Sequence, residues 1–111
     1  MTDIIIIGAG GHAAELDEYL RYSYKVFGSK DFNIIGFLDD DPGNYARYKH
    51  SAPLLGSIKD HIVIQEQRYV IGIASIEYRR SVAERFLSEG ARLVSLVHRS
   101  AFISESAVIG E

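Results

Sequence analysis

The sequence predicts a small α/β domain built on a parallel sheet, and three observations carry that expectation. Residues 4–7 are four consecutive isoleucines, the unbroken β-branched run that a strand buried on both faces requires. The run leads directly into glycines at positions 8, 10 and 11 and then into an amphipathic pattern. Further apolar runs at 33–38, 69–74 and 93–97 alternate with intervening segments, one of them a second amphipathic pattern at 77–89. Strands and helices in alternation point to parallel strands joined by right-handed crossovers.

The first helix is expected over 13–21, where Ala13, Leu16 and Leu20 recur at three- and four-residue spacing with Glu15 and Glu18 between them. Residues 22–31 are polar and aromatic, contain Gly28, and read as the helix end plus a loop. The second strand, 33–38, is closed by Asp39-Asp40-Asp41-Pro42-Gly43, which reads as a turn. Residues 44–66 are the least regular: Ser57 is placed to cap one helical turn running to Asp60, and 62–64 reads as a short strand or a helix continuation. The third strand, 69–74, precedes a helix at 77–89 whose apolar stripe is Val82, Ala83, Phe86 and Leu87, with Gly90 where a helix commonly stops. After the fourth strand, 93–97, the pattern changes. Val97, Ile103 and Ile109 lie six apart, and Ala101 and Ala107 fall four residues after the first two. A six-residue beat is the mark of hexapeptide β-helix coils. One incomplete coil cannot bury its own apolar corners. The expected organisation is therefore a domain over 1–96 and the truncated start of a β-helix over 97–111, the whole being the N-terminal part of a longer protein.

A chain of 111 residues has room for one such domain and one modest core. No apolar run approaches the roughly 20 residues of a membrane span, which argues against an integral membrane protein. The absence of cysteine removes disulfides, thiol nucleophiles and cysteine-based zinc sites. The start, MTDIIIIGAGG, lacks the pattern of a signal peptide, so a cytoplasmic location is expected. Twelve basic and fifteen acidic residues give a net charge of −3 with no basic stripe, which argues against nucleic-acid binding. His50, His61 and His98 show no metal-ligand spacing, and no Ser-His-Asp arrangement can be assembled; no metal is expected.

Two turns carry candidate binding chemistry. Gly8-Ala9-Gly10-Gly11-His12-Ala13 fits G-x-G-x-x-G/A directly after a strand and before a helix. Its glycines allow close backbone approach, and the helix start offers unpaired amides to an anion over Gly10, Gly11 and His12. The alternative is a ligand-free turn that needs positive φ. His12 has two readings, hydrogen bonding to a sugar or phosphate and capping of the helix. Asp39 and Asp40 end a strand on the edge where open α/β sheets bind ligands, and a carboxylate there accepts from ribose hydroxyls or a uracil N3–H. The alternative is a solvated aspartate turn. Three adjacent aspartates without a second oxygen cluster make a poor metal site. Ala74 and Ser75 close the third strand at the same crevice, Ser75 being equally placed to cap the next helix. Arg79 and Arg80 read as a solvated face.

IIIIGAGGHA, IIGFLDDDP, PLLGS, YVIGIAS with IEYRR, and LVSLVHRSAFISESAVIGE occur in one order over essentially the whole chain. In that order they resemble the N-terminal domain of bacterial sugar-nucleotide acetyltransferases of the left-handed β-helix superfamily. That group is similar in turn to the UDP-4-amino-sugar N-acetyltransferases of glycan assembly and the sialic-acid O-acetyltransferases. The resemblance implies a small Rossmann-like domain that holds a UDP-sugar, followed by a β-helix that forms a homotrimer and binds acetyl-CoA. By that match, Gly10, Gly11 and His12 fall on the loop around the substrate phosphates and sugar, and Asp39 and Asp40 on the acidic pair for uracil and ribose. The family's asparagine or similar polar residue is Ser75 here, and its glycine after the third strand is Ala74, which adds a methyl where backbone usually approaches the ligand. Arg99 stands where a proline often follows the boundary histidine. The general-base histidine and the CoA-binding coils would lie beyond Glu111, so no catalytic residue is assigned to this chain. Two other classes stay open: an NAD(P)-type dinucleotide-binding regulatory or dehydrogenase domain, and a ligand-free interaction domain.

Overall fold

The computed structural model describes the backbone of residues 2–27 and 32–94 and the side chains of 3–20 and 33–94. The chain runs β1 (Thr2–Ile7), α1 (Gly11–Phe27), β2 (Phe32–Leu38), α2 (Pro42–Arg47), β3 (Leu54–Gly56), β4 (Arg68–Ile71), α3 (Ile76–Ser88) and β5 (Arg92–Leu93). The five strands form one sheet in the order β3-β2-β1-β4-β5, and every pairing is parallel. β1 is thus central, and the strand order reverses between β1 and β4. Ligand-binding crevices of open α/β sheets form at such a reversal, outside the carboxyl ends of the two strands.

The alternation of side chains along a strand divides the isoleucine run between two cores. Ile5 and Ile7 pack with Tyr69, Ile71 and the α3 residues Val82, Ala83 and Phe86. Ile4 and Ile6 pack with Phe37, Val70 and the α1 residues Ala13, Leu16 and Leu20 on the opposite face. All four isoleucines are at most 1% exposed, which explains why the run has no polar interruption. α3 is capped by Ser75, whose Oγ accepts from the Tyr78 N–H at 3.4 Å. It stops at Gly90, which has φ +97. Ala91 N–H then returns to the Phe86 carbonyl at 3.0 Å, closing the helix end before β5.

The structure departs from the expected elements in four places. The Asp-Pro-Gly stretch starts a helix rather than a simple turn: Asp41 is the N-cap, accepting from Gly43 N–H at 2.9 Å, and Pro42 takes the first helical position. β3 is an additional strand, three residues long at the sheet edge. β4 ends at Ile71, three residues before the expected limit, because Gly72 leaves the ladder after its N–H bonds the Ile7 carbonyl at 2.8 Å. Residues 62–64 are neither strand nor helix; Tyr69 Oη holds them by accepting from the Ile64 N–H at 3.1 Å. The turn at Ser57 forms as expected, with Asp60 N–H donating to Ser57 Oγ at 3.0 Å. The expected fourth strand, 93–97, is described only at its start, where β5 ends at Leu93; residues 95–111, with the rest of that expectation and the β-helix expectation, lie outside the described residues. Among the described residues, no helix is long and apolar enough to cross a membrane.

Candidate functional site

The cleft at the strand-order reversal has a volume of about 410 Å³. Gly8, Gly10, Gly11 and His12 form one wall, Asp39, Asp40, Asp41 and Asn44 another, and Gly72, Ile73, Ala74 and Tyr78 a third. All the candidate residues read from the sequence converge here except Ser75, which is the α3 cap and not part of the lining.

The glycine loop is fixed at every peptide. Gly8 N–H donates to the Leu38 carbonyl at 2.6 Å, and Gly72 N–H holds the Ile7 carbonyl. Gly8 has φ +109, and a Cβ there would stand 2.8 Å from the Gly72 carbonyl oxygen. Only glycine suits both demands. Ala9 N–H donates to Asp39 Oδ2 at 2.8 Å, tying the loop to the end of β2. The Gly10 carbonyl accepts from Ala14 N–H at 2.9 Å, which makes Gly10 the N-cap of α1. A glycine cap has no side chain to satisfy the first-turn amides, and that turn contains no acidic residue. A Cβ on Gly10 would meet nothing within 4 Å, so the space beside that residue is open. The arrangement presents N–H groups and the positive end of a helix dipole to the cleft, the features that receive an anion.

The two aspartates differ in what they already hold. Asp39 Oδ2 accepts from Ala9 N–H, while Oδ1 accepts from Asp41 N–H at 2.8 Å and from Asn44 Nδ2 at 3.2 Å. Its carboxylate is largely committed to joining the glycine loop to α2. Asp40 accepts from Lys59 N–H at 2.8 Å on Oδ1 and from the Tyr78 hydroxyl at 3.1 Å on Oδ2, so each oxygen keeps a free lone pair. Burial, followed by the hydrogen bond to Asp40 and its charge, raises the Tyr78 phenol above its ordinary value. Tyr78 was not singled out from the sequence. Its position in the first turn after the Ser75 cap, at the mouth of the crevice, was the available signal.

His12 lines the cleft with 42% of its side chain exposed, and its Nδ1 stands 3.9 Å from Glu15 Oε1. His50, half-buried, is built into the back of the loop. Its ring stacks on Tyr45 at 4.6 Å and meets the edge of Phe37 at 4.6 Å, with Nε2 3.0 Å from the Ala9 carbonyl. His61 lies on the α3 side, stacked on Phe86, with Nε2 2.8 Å from Tyr69 Oη. Burial, and secondarily the Arg85 guanidinium, lower its pKa below 6.5. Among the described residues, no group of three His, Cys, Asp or Glu side chains is placed to hold a metal.

Comparison with known proteins agrees with this architecture. The family model for the PglD N-terminal domain matches residues 3–86, from β1 into α3. The curated UDP-N-acetylbacillosamine N-acetyltransferase of Bacillus subtilis (strain 168) is 26% identical over 113 residues, covering 100% of this chain and 50% of that protein. The chain therefore spans about half the length of that relative. The match takes in the glycine loop, the acidic turn and the strand-order reversal together, in agreement with the resemblance carried by the motif order: the chain belongs to the PglD N-terminal domain family.

Proposed function

We propose that this chain is the nucleotide-sugar-binding part of an acetyl-CoA-dependent sugar N- or O-acetyltransferase of bacterial glycan biosynthesis. The observation that carries the reading is the cleft itself, with open amides at the Gly10 cap facing carboxylates at the end of β2. On this reading the amides of Gly10, Gly11 and His12 receive the diphosphate of a UDP-sugar. Asp40, with acceptor capacity to spare, takes a donor of the uridine, and Asp39 keeps the loop and the acidic turn at a fixed separation. Ala74 is exposed at the third wall, where its methyl bears on which sugar or nucleotide fits. The name of the relative, a UDP-sugar N-acetyltransferase, supports this choice of substrate class.

The domain is assigned to residues 1–96, with the β-helix beginning at 97 and mediating a homotrimer. The cleft offers one amide cradle, which this reading gives to the substrate. The resemblance implies that acetyl-CoA, the acyl donor, and the base for acyl transfer belong to the β-helix rather than to this cleft. What this chain contributes is positioning: it holds the amino or hydroxyl sugar at a fixed point, which reduces the entropic part of the barrier. Amide chemical-shift mapping tests the reading. UDP or a UDP-amino sugar should perturb Gly10, Gly11, His12 and Asp40, with NAD leaving them unmoved. Saturating UDP-sugar without effect on these amides refutes it, and selective NAD binding would replace it with the dinucleotide reading.

A further inference from the structure

We infer that His50 is a positioning residue that aims the Gly10 amide into the cleft. The carbonyl of Ala9 and the nitrogen of Gly10 belong to one peptide plane, and in a trans peptide the C=O and N–H point in opposite directions. None of the peptide bonds of the described chain is cis. His50 Nε2 stands 3.0 Å from the Ala9 carbonyl oxygen; with the proton assigned to Nε2, the bond it donates draws that oxygen toward the back of the loop. The Gly10 N–H is thereby turned the other way, away from the back of the loop, and Gly10 itself lines the cleft. No described residue accepts from that N–H.

The ring is itself held against rotation. Its face lies on Tyr45 with planes 14° apart, and Phe37 meets it edge-on. Tyr45 is anchored in turn by its hydroxyl, which donates to the Ala52 carbonyl at 2.8 Å. The neighbouring peptide is fixed independently, by the bond from Ala9 N–H to Asp39. Two side chains from the β2–β3 region therefore determine consecutive peptide planes of the glycine loop: Asp39 the first, His50 the second. Asp39 engages an N–H of the loop, and His50 engages a carbonyl. Without the second bond, the Ala9 carbonyl is free to rotate toward the cleft and present an acceptor where the donor now stands.

The loop geometry is a property of the ligand-free protein. Its effect on affinity rests on the proposed nucleotide-sugar site, and the experiment separates the two. In the full chain, the 15N resonance of Gly10 is compared between wild type, His50→Phe, which keeps a ring in the aromatic box without a donor, and His50→Gln, which restores an N–H. The Gly10 resonance should move in His50→Phe by more than those of Ile7 and Ala14 and return toward wild type in His50→Gln. Titration calorimetry with UDP and with uridine then reads the consequence. UDP should bind His50→Phe about tenfold more weakly, the scale of one hydrogen bond to a charged group, while uridine affinity is unchanged and His50→Gln recovers most of the loss. An unmoved Gly10 resonance overturns the inference, as does an equal loss for UDP and uridine or a His50→Gln protein indistinguishable from His50→Phe. If wild type binds neither compound, the nucleotide reading fails, and the Gly10 resonance alone decides the role of His50.

Discussion

Replacing Asp39 by asparagine should damage the fold far more than the same change at Asp40, although the residues are adjacent and the change is isosteric at both. Asp39 serves three donors, one on Oδ2 and two on Oδ1. An asparagine has one acceptor oxygen and an NH2 group that can only donate. The favoured orientation keeps the oxygen toward Asp41 N–H and Asn44, which sets the NH2 against the N–H of Ala9. Ala9 is 0% exposed, so water cannot replace the lost acceptor. Losing a hydrogen bond to a charged group and stranding a buried N–H costs about 2–3 kcal/mol. For a domain of this size that lowers the melting temperature by roughly 10–20 °C. At Asp40 the asparagine oxygen still accepts from Lys59 N–H, and the Tyr78 hydroxyl can rotate to accept from the new NH2, so the cost is below about 1 kcal/mol. Urea unfolding of the two variants measures the contrast. A cost for Asp39→Asn within about 0.5 kcal/mol of zero, or one no larger than that for Asp40→Asn, would refute the reasoning.

Gly8→Ala should destabilise by at least about 2 kcal/mol, because its positive φ and the Gly72 carbonyl both oppose a side chain, whereas Gly10→Ala should fold normally and weaken UDP binding. Urea unfolding paired with calorimetry separates these outcomes. Because the folded-state pKa of His61 is depressed, the unfolded chain binds the proton more readily, and stability conferred by this residue is full above pH 6.5 and falls as the solution is acidified below it. His61→Gln should flatten that slope, and Arg85→Gln should narrow the window by removing a charge that lowers the His61 pKa; unfolding curves across the acidic range check both. Tyr78→Phe should remove one late-titrating phenol from the ultraviolet titration and free Asp40 Oδ2, with little change in stability.

The parts of the fold legible in the sequence were those whose causes are local. β1 and the glycine loop announce themselves because burial on both faces demands unbroken β-branched residues and a tight turn demands glycine. α2 and β3 were obscured for physical reasons. α2 buries no residue, so it has no apolar stripe to betray it, and Asp41-Pro42, a cap followed by a first-turn proline, carries the same letters as a turn. β3 is three residues at an edge, too short for an alternation to show. The convergence of Asp39, Asp40, His12 and the glycines on one cleft was legible from their places at strand ends and in the first turn of α1. The division of labour between the aspartates was not, since it depends on which carboxylate meets the Ala9 amide across 30 residues. His50 was invisible for the same reason, its partner lying 41 residues earlier.

The isoleucine run has a further consequence for how the sheet finds its alignment. Sliding β1 by one residue exchanges one isoleucine for another at three of the four buried places, so oil-and-water patterning within the run barely distinguishes a shifted pairing from the right one. Discrimination must come from the ends, where Asp3 faces Asn33 at 3.1 Å and Gly8 alone tolerates its twist. The punctuation around the repeat, more than the repeat itself, keeps the central strand in frame, and a residue inserted among the isoleucines would be felt first at the loop that forms the cleft.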